Sequence, residues 1–210
     1  MRRAIAAAAE AGVGLVAYAS FINTGTSTFR LGEEHKQTEQ ERRSSGLPHV
    51  LLRNGAYTEM YTGTLGPALA QGAIIGSYGD GQISGAVRAD LAAAAATVLT
   101  SDDQAGQVYE LGGTAFTMTA LAAEVSQQTR HTITYQDLPV DLYTKVLTSA
   151  GLPEAFAGLL ADTSLAATRG DWYTDSTDLR ELIGRPATSP AAAVTDALRA
   201  GLSRTLDPRG

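Results

Sequence analysis

Short apolar runs alternate with longer polar or Ala-rich stretches along the first half of the chain. The run from Val13 to Ala19 predicts a strand buried on both faces, and PHVLLR, from Pro48 to Arg53, predicts a second strand. The polar segment from Glu33 to Ser45 between them predicts a helix. Strands separated by helices favour parallel pairing through right-handed crossovers. The pattern therefore predicts an α/β fold built on a parallel sheet.

The same alternation continues to Gly113. An Ala-rich helix precedes the first strand, AIIGS at 73–77 predicts a short third strand, and residues 108–111 predict a further one. A second Ala-rich helix is predicted from Arg88 to Leu99. We therefore expect residues 1–113 to form one α/β domain.

After Gly113 the pattern becomes mainly helical. HTITY at 131–135 alternates as a half-exposed strand would, and residues 203–210 predict a frayed tail. Cap and turn residues predict helices beginning near Thr117, Pro139, residue 154, Ser176 and Ser189, the last running through Leu202. Residues 114–210 are thus expected to form a mainly helical lobe.

Composition excludes several classes of partner. The net charge is −6 with Lys and Arg scattered, which argues against nucleic acid. The chain has no cysteine, which fits a reducing cytoplasm, and its three histidines lack metal-ligand spacing, so no metal site is expected. No stretch reaches the ~18 apolar residues that span a bilayer. We expect a cytoplasmic protein without nucleic-acid, metal or membrane partners.

The segment LLRNGAYTEMY, residues 51–61, is the most specific candidate for chemistry. It turns sharply where a strand ends, at the sheet edge where open α/β sheets bind ligands. Asn54 can donate and accept hydrogen bonds, and Gly55 permits a close approach of the backbone. The alternative is an ordinary strand-terminal turn with an Asn-Gly pair.

Three more residues are candidates. Ser20 ends the first strand and is expected at the same edge as Asn54, although a capped strand end explains it equally well. His35 lies on the polar helix, where a lone histidine is usually solvated. Arg88 begins a helix, where a positive charge opposes the helix dipole unless an anion compensates.

Together these segments resemble the NmrA-like atypical short-chain dehydrogenases, in the quinone oxidoreductase and triphenylmethane reductase branch. The resemblance spans nearly the whole chain and rests above all on RNGAYTE and RADLAAAAA, with support from AYAS, EEHKQTEQ, VYELGG and STDLRELIGRPATSP. It implies a Rossmann-type doubly wound sheet with a helical lobe, NADPH between them, and two-electron reduction of a quinone-like acceptor. Residues 1–113 would then be the C-terminal part of an NAD(P)-binding domain, and residues 114–210 a substrate lobe.

The resemblance also implies roles for individual residues. Tyr57 would contact an aromatic acceptor, because its ring can stack and its hydroxyl can hydrogen-bond. The family's usual Tyr-x-x-x-Lys positions correspond to Leu31 and His35, so the proton-donating tyrosine is missing there. His35, with an unperturbed pKa near ~6.5, could supply that proton or contact the cofactor. The cofactor side would be lined by Ser20, Asn54, Gly55, Ala56, Tyr57, Thr58, Glu59 and Arg88.

The sequence departs from the family pattern at its beginning. The first strands and the Gly-rich turn that cradles the pyrophosphate do not occur before Met1, and Gly12 and Gly14 follow a helix instead of a strand. We therefore expect the chain alone to bind NADPH weakly, and its first strand to expose an edge that permits a homodimer or aggregation. Two alternatives to a quinone reductase stay open, a non-enzymatic NAD(P)-sensing regulator and an inactive truncated fragment. The sequence leaves the acceptor, and NADPH against NADH, undecided.

Overall fold

The computed structural model describes residues 2–206, in which strands and helices alternate. The strands are β1 (Val16–Phe21), β2 (His49–Asn54), β3 (Ala73–Gly76), β4 (Val108–Leu111) and β5 (Thr134–Asp137). The helices are α1 (Arg2–Glu10), α2 (Arg30–Ser44), α3 (Thr58–Thr62), α4 (Leu65–Gln71), α5 (Arg88–Leu99), α6 (Met118–Thr129), α7 (Val140–Ser149), α8 (Glu154–Thr168), α9 (Asp178–Ile183) and α10 (Pro190–Leu206).

The main sheet has three parallel strands in the order β1-β2-β4. Phe21 pairs with Asn54, and Asn54 pairs with Leu111, so all three strands end at one edge. Side chains of alternate residues lie on opposite faces of the sheet. Tyr18 and Ser20 of β1 contact α2 on one face, and Ala17 packs into the core against α5 on the other. Parallel strands with helices on both faces confirm the predicted α/β class.

Two hydrophobic cores hold the described residues together. One lies between the main sheet, α5 and α9, and contains Val50, Leu52, Ala94, Val98 and Leu179. The larger one joins the edge of the main sheet to α6, α8 and α10, and its members include Phe21, Phe29, Leu121, Trp172 and Val194. The helical segments after Gly113 are therefore packed directly against the edge where the strands end.

A second sheet pairs β3 with β5 in parallel. The short strand predicted at 73–77 thus joins the strand predicted at 131–135 instead of the main sheet. That second strand begins three residues later than expected, at Thr134, because Arg130 ends α6 in a left-handed conformation (φ 58°) and residues 131–133 complete the turn. The hydrogen bond from Thr134 N to the Gly72 carbonyl then begins the pairing.

The prediction for the first strand was wrong in its bounds and burial. The strand begins at Val16 because Gly12, at φ 64°, turns the chain away from α1 and residues 13–15 connect the two. Val13 is 39% exposed, and only Ser20 and Phe21 of β1 are fully buried. The apolar run is therefore partly connecting chain and partly strand, and the part of it that lies in β1 is only partly buried.

Several helices agree closely with the sequence pattern. Helices α5 and α8 have the predicted bounds, and the Thr117 hydroxyl accepts a hydrogen bond from Ala120 N, as an N-cap should. Helix α10 continues to Leu206, past the predicted end at Leu202, and the remainder of the predicted tail, 207–210, lies outside the described residues.

Candidate active site

A cavity of about 190 Å³ opens at the carboxyl edge of the main sheet. Its walls come from the end of β1, the start of α2, the turn after β2, and the segment around Trp172. The residues that line it are Ser20, Phe21, Phe29, Leu31, His35, Asn54, Gly55, Ala56, Tyr57, Met60, Tyr61, Thr163 and Trp172. Six of the predicted site residues are therefore brought together, namely Ser20, His35, Asn54, Gly55, Ala56 and Tyr57.

The turn after β2 is locked to a neighbouring loop by its glycine. A Cβ at Gly55 would lie 2.2 Å from the Ser84 carbonyl oxygen, a distance that real Cβ atoms do not reach. The amide of Gly55 donates to the Leu111 carbonyl at 2.9 Å, and Ala86 N donates to Ala56 O at 2.9 Å. Gly55 was expected to permit a close approach, and the structure shows that the approaching group is the protein's own backbone. The turn is thereby fixed rigidly beneath the cavity.

Asn54 lies between two concave surfaces. It lines the cavity and also an adjoining cleft of about 290 Å³, to which Tyr57 and Arg88 contribute as well. Its carbonyl accepts a hydrogen bond from Ile22 N, which fixes its backbone. Its side-chain amide makes no hydrogen bond within residues 2–206. An amide held in place with free donors and an acceptor is suited to a polar ligand group.

Arg88, Glu59 and Tyr57 form one cluster on the cleft side. The Glu59 carboxylate accepts a hydrogen bond from the Arg88 backbone N–H at 2.8 Å, at the beginning of α5. Its second oxygen lies 3.8 Å from the Arg88 guanidinium, and that guanidinium lies 4.7 Å from the centre of the Tyr57 ring. Glu59 is therefore the anion that offsets an arginine at a helix N-terminus. Neither Arg88 nor Glu59 lines the cavity, and Thr58 is buried with its amide bonded to Ala86 O.

A buried ionic network supports the floor of the site. The Arg53 guanidinium donates to both oxygens of Glu39, at 3.0 and 2.7 Å, and to Glu110 at 2.7 Å. The Ser20 hydroxyl donates to Glu39 at 2.6 Å. Burial alone would raise the pKa of Glu39, but the hydrogen bonds from Arg53 and Ser20 outweigh it and the pKa is lowered. The hydrogen bond to Glu39 raises the pKa of Arg53. Ser20 is therefore part of the network, and its hydroxyl proton is already used in the hydrogen bond to Glu39.

His35 is half-buried instead of solvated, contrary to the simplest expectation for a polar helix. Its Nδ1 lies 2.9 Å from the Tyr18 hydroxyl, and its ring meets the Phe21 ring edge-on at 5.4 Å. Burial lowers the pKa of His35 below its ordinary value of 6.5, although the carboxylates of Glu39 and Glu34 act in the opposite direction. The imidazole is therefore neutral at pH 7.

The aromatic wall of the cavity was not identified from the sequence. The Trp172 ring lies 5.2 Å from Phe29 and 5.6 Å from Phe21, and its Nε1–H donates to the Thr163 carbonyl at 3.1 Å. Tyr61 closes another side, and burial raises its pKa well above 10.0, so its hydroxyl stays protonated. The chain has one tryptophan and only 6% aromatic residues, so their concentration here is the signal that could have pointed to this wall.

Within residues 2–206 no group of three or more metal-binding side chains comes together. No helix in that range combines the length and apolar character required to cross a bilayer.

Comparison with known proteins gives the family. No protein-family model matches the chain. Quinone oxidoreductase 2 of Escherichia coli (strain K12) is 44% identical over 195 residues, which is 92% of this chain and 68% of the relative. The crystal structure of the NADPH-dependent quinone oxidoreductase of E. coli, complexed with NADPH, matches with a TM-score of 0.91 at 43% identity, over 94% of this chain and 70% of that one.

A more distant match agrees. Triphenylmethane reductase of Citrobacter sp., complexed with NADP(H), matches with a TM-score of 0.87 at 31% identity, over 92% of this chain and 68% of that one. The resemblance in RNGAYTE and RADLAAAAA is therefore confirmed over most of the sequence. The chain belongs to the NmrA-like atypical short-chain dehydrogenases, in the branch that contains quinone oxidoreductase 2.

Proposed function

We propose that this chain carries the acceptor half of an NADPH-dependent oxidoreductase that reduces quinone-like compounds by two electrons. The observation that carries the proposal is the position of Asn54 and Tyr57 at the junction of an aromatic cavity and the cleft beside Arg88. One compartment suits a flat apolar acceptor, and the other suits the nicotinamide end of a dinucleotide. Hydride transfer needs the two reacting rings in contact, and ligands bound on the two sides of this junction would meet that requirement.

The residues present fit the nicotinamide portion of the cofactor. The free side-chain amide of Asn54 can pair with a carboxamide, and Arg88 offers a positive charge beside the Tyr57 ring. Bound NADPH would supply the hydride. Gly55 and Ala56 serve through their backbone, which holds the turn against the loop at 84–86, and Thr58 and Glu59 fix the beginnings of α3 and α5.

The cavity walls favour a planar acceptor. Phe21, Phe29 and Trp172 present ring surfaces, and Leu31 and Met60 lie at the rim with more than a third of each residue exposed. Aromatic walls exclude water and bind a conjugated ring through stacking. An acceptor oxygen that gains electron density must also gain a proton, and His35, an ionisable residue of the predicted site, lines this cavity.

Binding and turnover are best tested in two polypeptides. One is the chain of 210 residues, and the other is a chimera in which the N-terminal segment of the E. coli relative, where the family pattern has its Gly-rich turn, precedes it. A Gly-rich turn holds a pyrophosphate through charge-assisted hydrogen bonds, each on the order of 1.5 to 3 kcal/mol. We expect a dissociation constant for NADPH above about 1 mM for the chain and in the micromolar range for the chimera, measured by calorimetry.

Turnover decides between the enzyme and a regulator that senses the dinucleotide. The chimera should oxidise NADPH in the presence of a benzoquinone, followed by the loss of NADPH absorbance. Micromolar NADPH binding with no quinone-dependent oxidation would reject the proposed activity and favour the regulator. Tight binding by the 210-residue chain would instead show that the cleft beside Arg88 suffices for the cofactor.

The outer edge of β1 supports a second, independent proposal, that of self-association. Strand β1 lies at the end of the sheet order β1-β2-β4, so one of its edges has no partner strand within residues 2–206. An edge of this kind can pair with a second copy of the chain and form a homodimer.

A further inference from the structure

A hydrogen bond between Tyr18 and His35 connects β1 to the acceptor cavity. The Tyr18 hydroxyl lies 2.9 Å from Nδ1 of His35, and the His35 ring lines the cavity. No partner within residues 2–206 hydrogen-bonds to Nε2. Nδ1 of the imidazole is therefore hydrogen-bonded to a side chain of the sheet, and Nε2 is available to a ligand.

The surroundings of Tyr18 determine the direction of this hydrogen bond. The guanidinium carbon of Arg42 lies 5.5 Å from the centre of the Tyr18 ring. A cation over an aromatic face draws electron density from the phenol, which makes the hydroxyl a better donor and a poorer acceptor. The unprotonated nitrogen of an imidazole is a good acceptor. We therefore expect Tyr18 to donate to Nδ1 and His35 to carry its own proton on Nε2.

A neutral imidazole cannot act as an acid without help. Because burial keeps His35 neutral at pH 7, its N–H proton leaves only if the other nitrogen gains a proton in the same event. The phenol that faces Nδ1 can provide that proton. The Arg42 guanidinium favours the negative charge that the phenol oxygen would then carry.

We propose that Tyr18 is the proton source for acceptor reduction and acts through His35, an inference that rests on the proposed quinone reduction. As the acceptor gains a hydride, its oxygen takes the proton from Nε2 and Nδ1 takes the proton from the Tyr18 hydroxyl. The imidazole stays neutral and Tyr18 becomes a phenolate. After product release, water that enters the cavity returns a proton to Nε2, and Nδ1 returns its proton to Tyr18. Tyr18 is a positioning residue, since it never touches the acceptor.

Nitrogen NMR of the histidines tests the geometry without any cofactor. The chain has three histidines, and two serve as internal references. His49 Nδ1 lies 2.9 Å from the Leu47 carbonyl, which only accepts, so His49 must carry its proton on Nδ1. His131 is exposed, and its ring makes no hydrogen bond within the described residues. His35 should carry its proton on Nε2, with an Nδ1 signal typical of an accepted hydrogen bond. In Tyr18→Phe that signal should move towards the value for His131.

Turnover with two acceptors tests the proton step. A quinone needs a hydride and a proton, whereas a cationic triarylmethyl dye is neutralised by the hydride alone. In the NADPH-loaded protein, or in the chimera if it alone loads, Tyr18→Phe should lower quinone turnover about 100-fold. The rate with the dye and the KM for NADPH should stay unchanged. Tyr109→Phe is the matched control, because its hydroxyl also makes one side-chain hydrogen bond, to Gln104 at 2.8 Å, on a strand away from the cavity.

The outcomes separate the two proposals. Quinone turnover that falls while dye reduction persists supports the relay. An equal loss with both acceptors would mean that Tyr18 only maintains the fold, and an unchanged quinone rate or a proton on Nδ1 of His35 would overturn the relay by itself. A wild-type protein that binds NADPH yet reduces no quinone would overturn the proposed function and the relay with it.

Discussion

The Arg53 guanidinium donates two hydrogen bonds to the Glu39 carboxylate, from Nε at 3.0 Å and from a terminal nitrogen at 2.7 Å. The Glu39 side chain is only 3% exposed. Removing its charge would leave Arg53 with Glu110 alone inside a buried environment. We expect Glu39→Gln to lower the free energy of unfolding by about 3 kcal/mol, as for other broken buried ion pairs. Urea denaturation measures this loss.

Glu34→Gln is the control for that variant. Glu34 lies on the same helix and is exposed, so its substitution should change the free energy of unfolding by less than about 0.5 kcal/mol. Equal stability of the two variants would show that the Arg53 network contributes nothing to the fold.

The Asp90 carboxylate provides a prediction for pH dependence. It is 1% exposed and accepts hydrogen bonds from Thr188 N at 2.6 Å and from Arg185. Burial would raise its pKa, but these hydrogen bonds outweigh burial and the pKa lies below the ordinary 3.8. A carboxyl with a lowered folded-state pKa contributes stability above its unfolded pKa, and that stability is lost as the pH falls through the folded value.

Asp90→Asn should therefore destabilise the chain by about 3 kcal/mol at pH 7 and by progressively less below pH ~4. Thermal unfolding at several pH values between 7 and 3 measures the difference in stability between Asp90→Asn and the wild type. Asp102→Asn, in the exposed loop after α5, should run parallel to the wild type throughout. A constant deficit for Asp90→Asn at every pH would contradict the assigned ionisation.

Much of the fold was accessible from the pattern of the sequence because local signals agree with the final packing. The Arg88–Leu99 helix has a continuous Ala-rich face, and PHVLLR is buried on the sheet it helps to form. The limits of β1 were not accessible. Its apolar run begins at Val13, but the left-handed turn at Gly12 delays the strand to Val16, and no periodicity reveals that delay.

The site was predicted in part for a similar reason. Asn54 and Tyr57 follow a strand directly, so their position follows from the end of that strand. Trp172 reaches the same cavity from a loop more than a hundred residues away, and only the packing of α8 against the sheet edge places it there. The bond between Tyr18 and His35 likewise depends on how α2 lies across β1. Such long-range contacts leave no local trace in the sequence.

Gly55 offers a test of the rigid turn. Gly55→Ala places a methyl group 2.2 Å from a backbone oxygen that cannot rotate away, so the strand end and the loop at 84–86 must separate. We expect a loss of about 3 kcal/mol, at the upper end for overpacking, together with weaker acceptor binding. Gly158→Ala, in α8 with no atom within 4 Å of the added Cβ, should instead stabilise the chain by about 0.5–1 kcal/mol. Similar melting temperatures for the two variants would contradict the close approach.

Arg88 and Tyr57 should affect different kinetic constants. In the NADPH-loaded protein, Arg88→Ala should raise the KM for NADPH roughly tenfold, since one charge-assisted contact is lost. Tyr57→Ala should mainly lower quinone turnover, because the acceptor loses its stacking surface.

Arg30→Ala is the matched control for Arg88. Arg30 also begins a helix, and its backbone N–H donates to an acidic side chain, Asp162, at 2.9 Å, but it lies outside the cavity and the cleft. Its kinetics should equal those of the wild type. If Arg88→Ala and Tyr57→Ala also have wild-type constants for both substrates, the roles given to the cluster are wrong.

The open edge of β1 leads us to expect that the chain associates with itself at high concentration. The amides of Val16 and Ile22 donate to β2 and its end, at Pro48 and Asn54, so the alternate amides of Ala17 and Ala19 point to the open edge. No charge or proline on β1 discourages another strand from pairing there.

Light scattering of the 210-residue chain should show a dimer or larger species growing from low to high micromolar concentration. Ala19→Lys, at an exposed position on that strand, should shift the chain towards the monomer, since a charged side chain on an edge opposes pairing. A wild-type chain that stays monomeric at high micromolar concentration would show that β1 does not mediate association, and association unaffected by Ala19→Lys would place the contact on another surface.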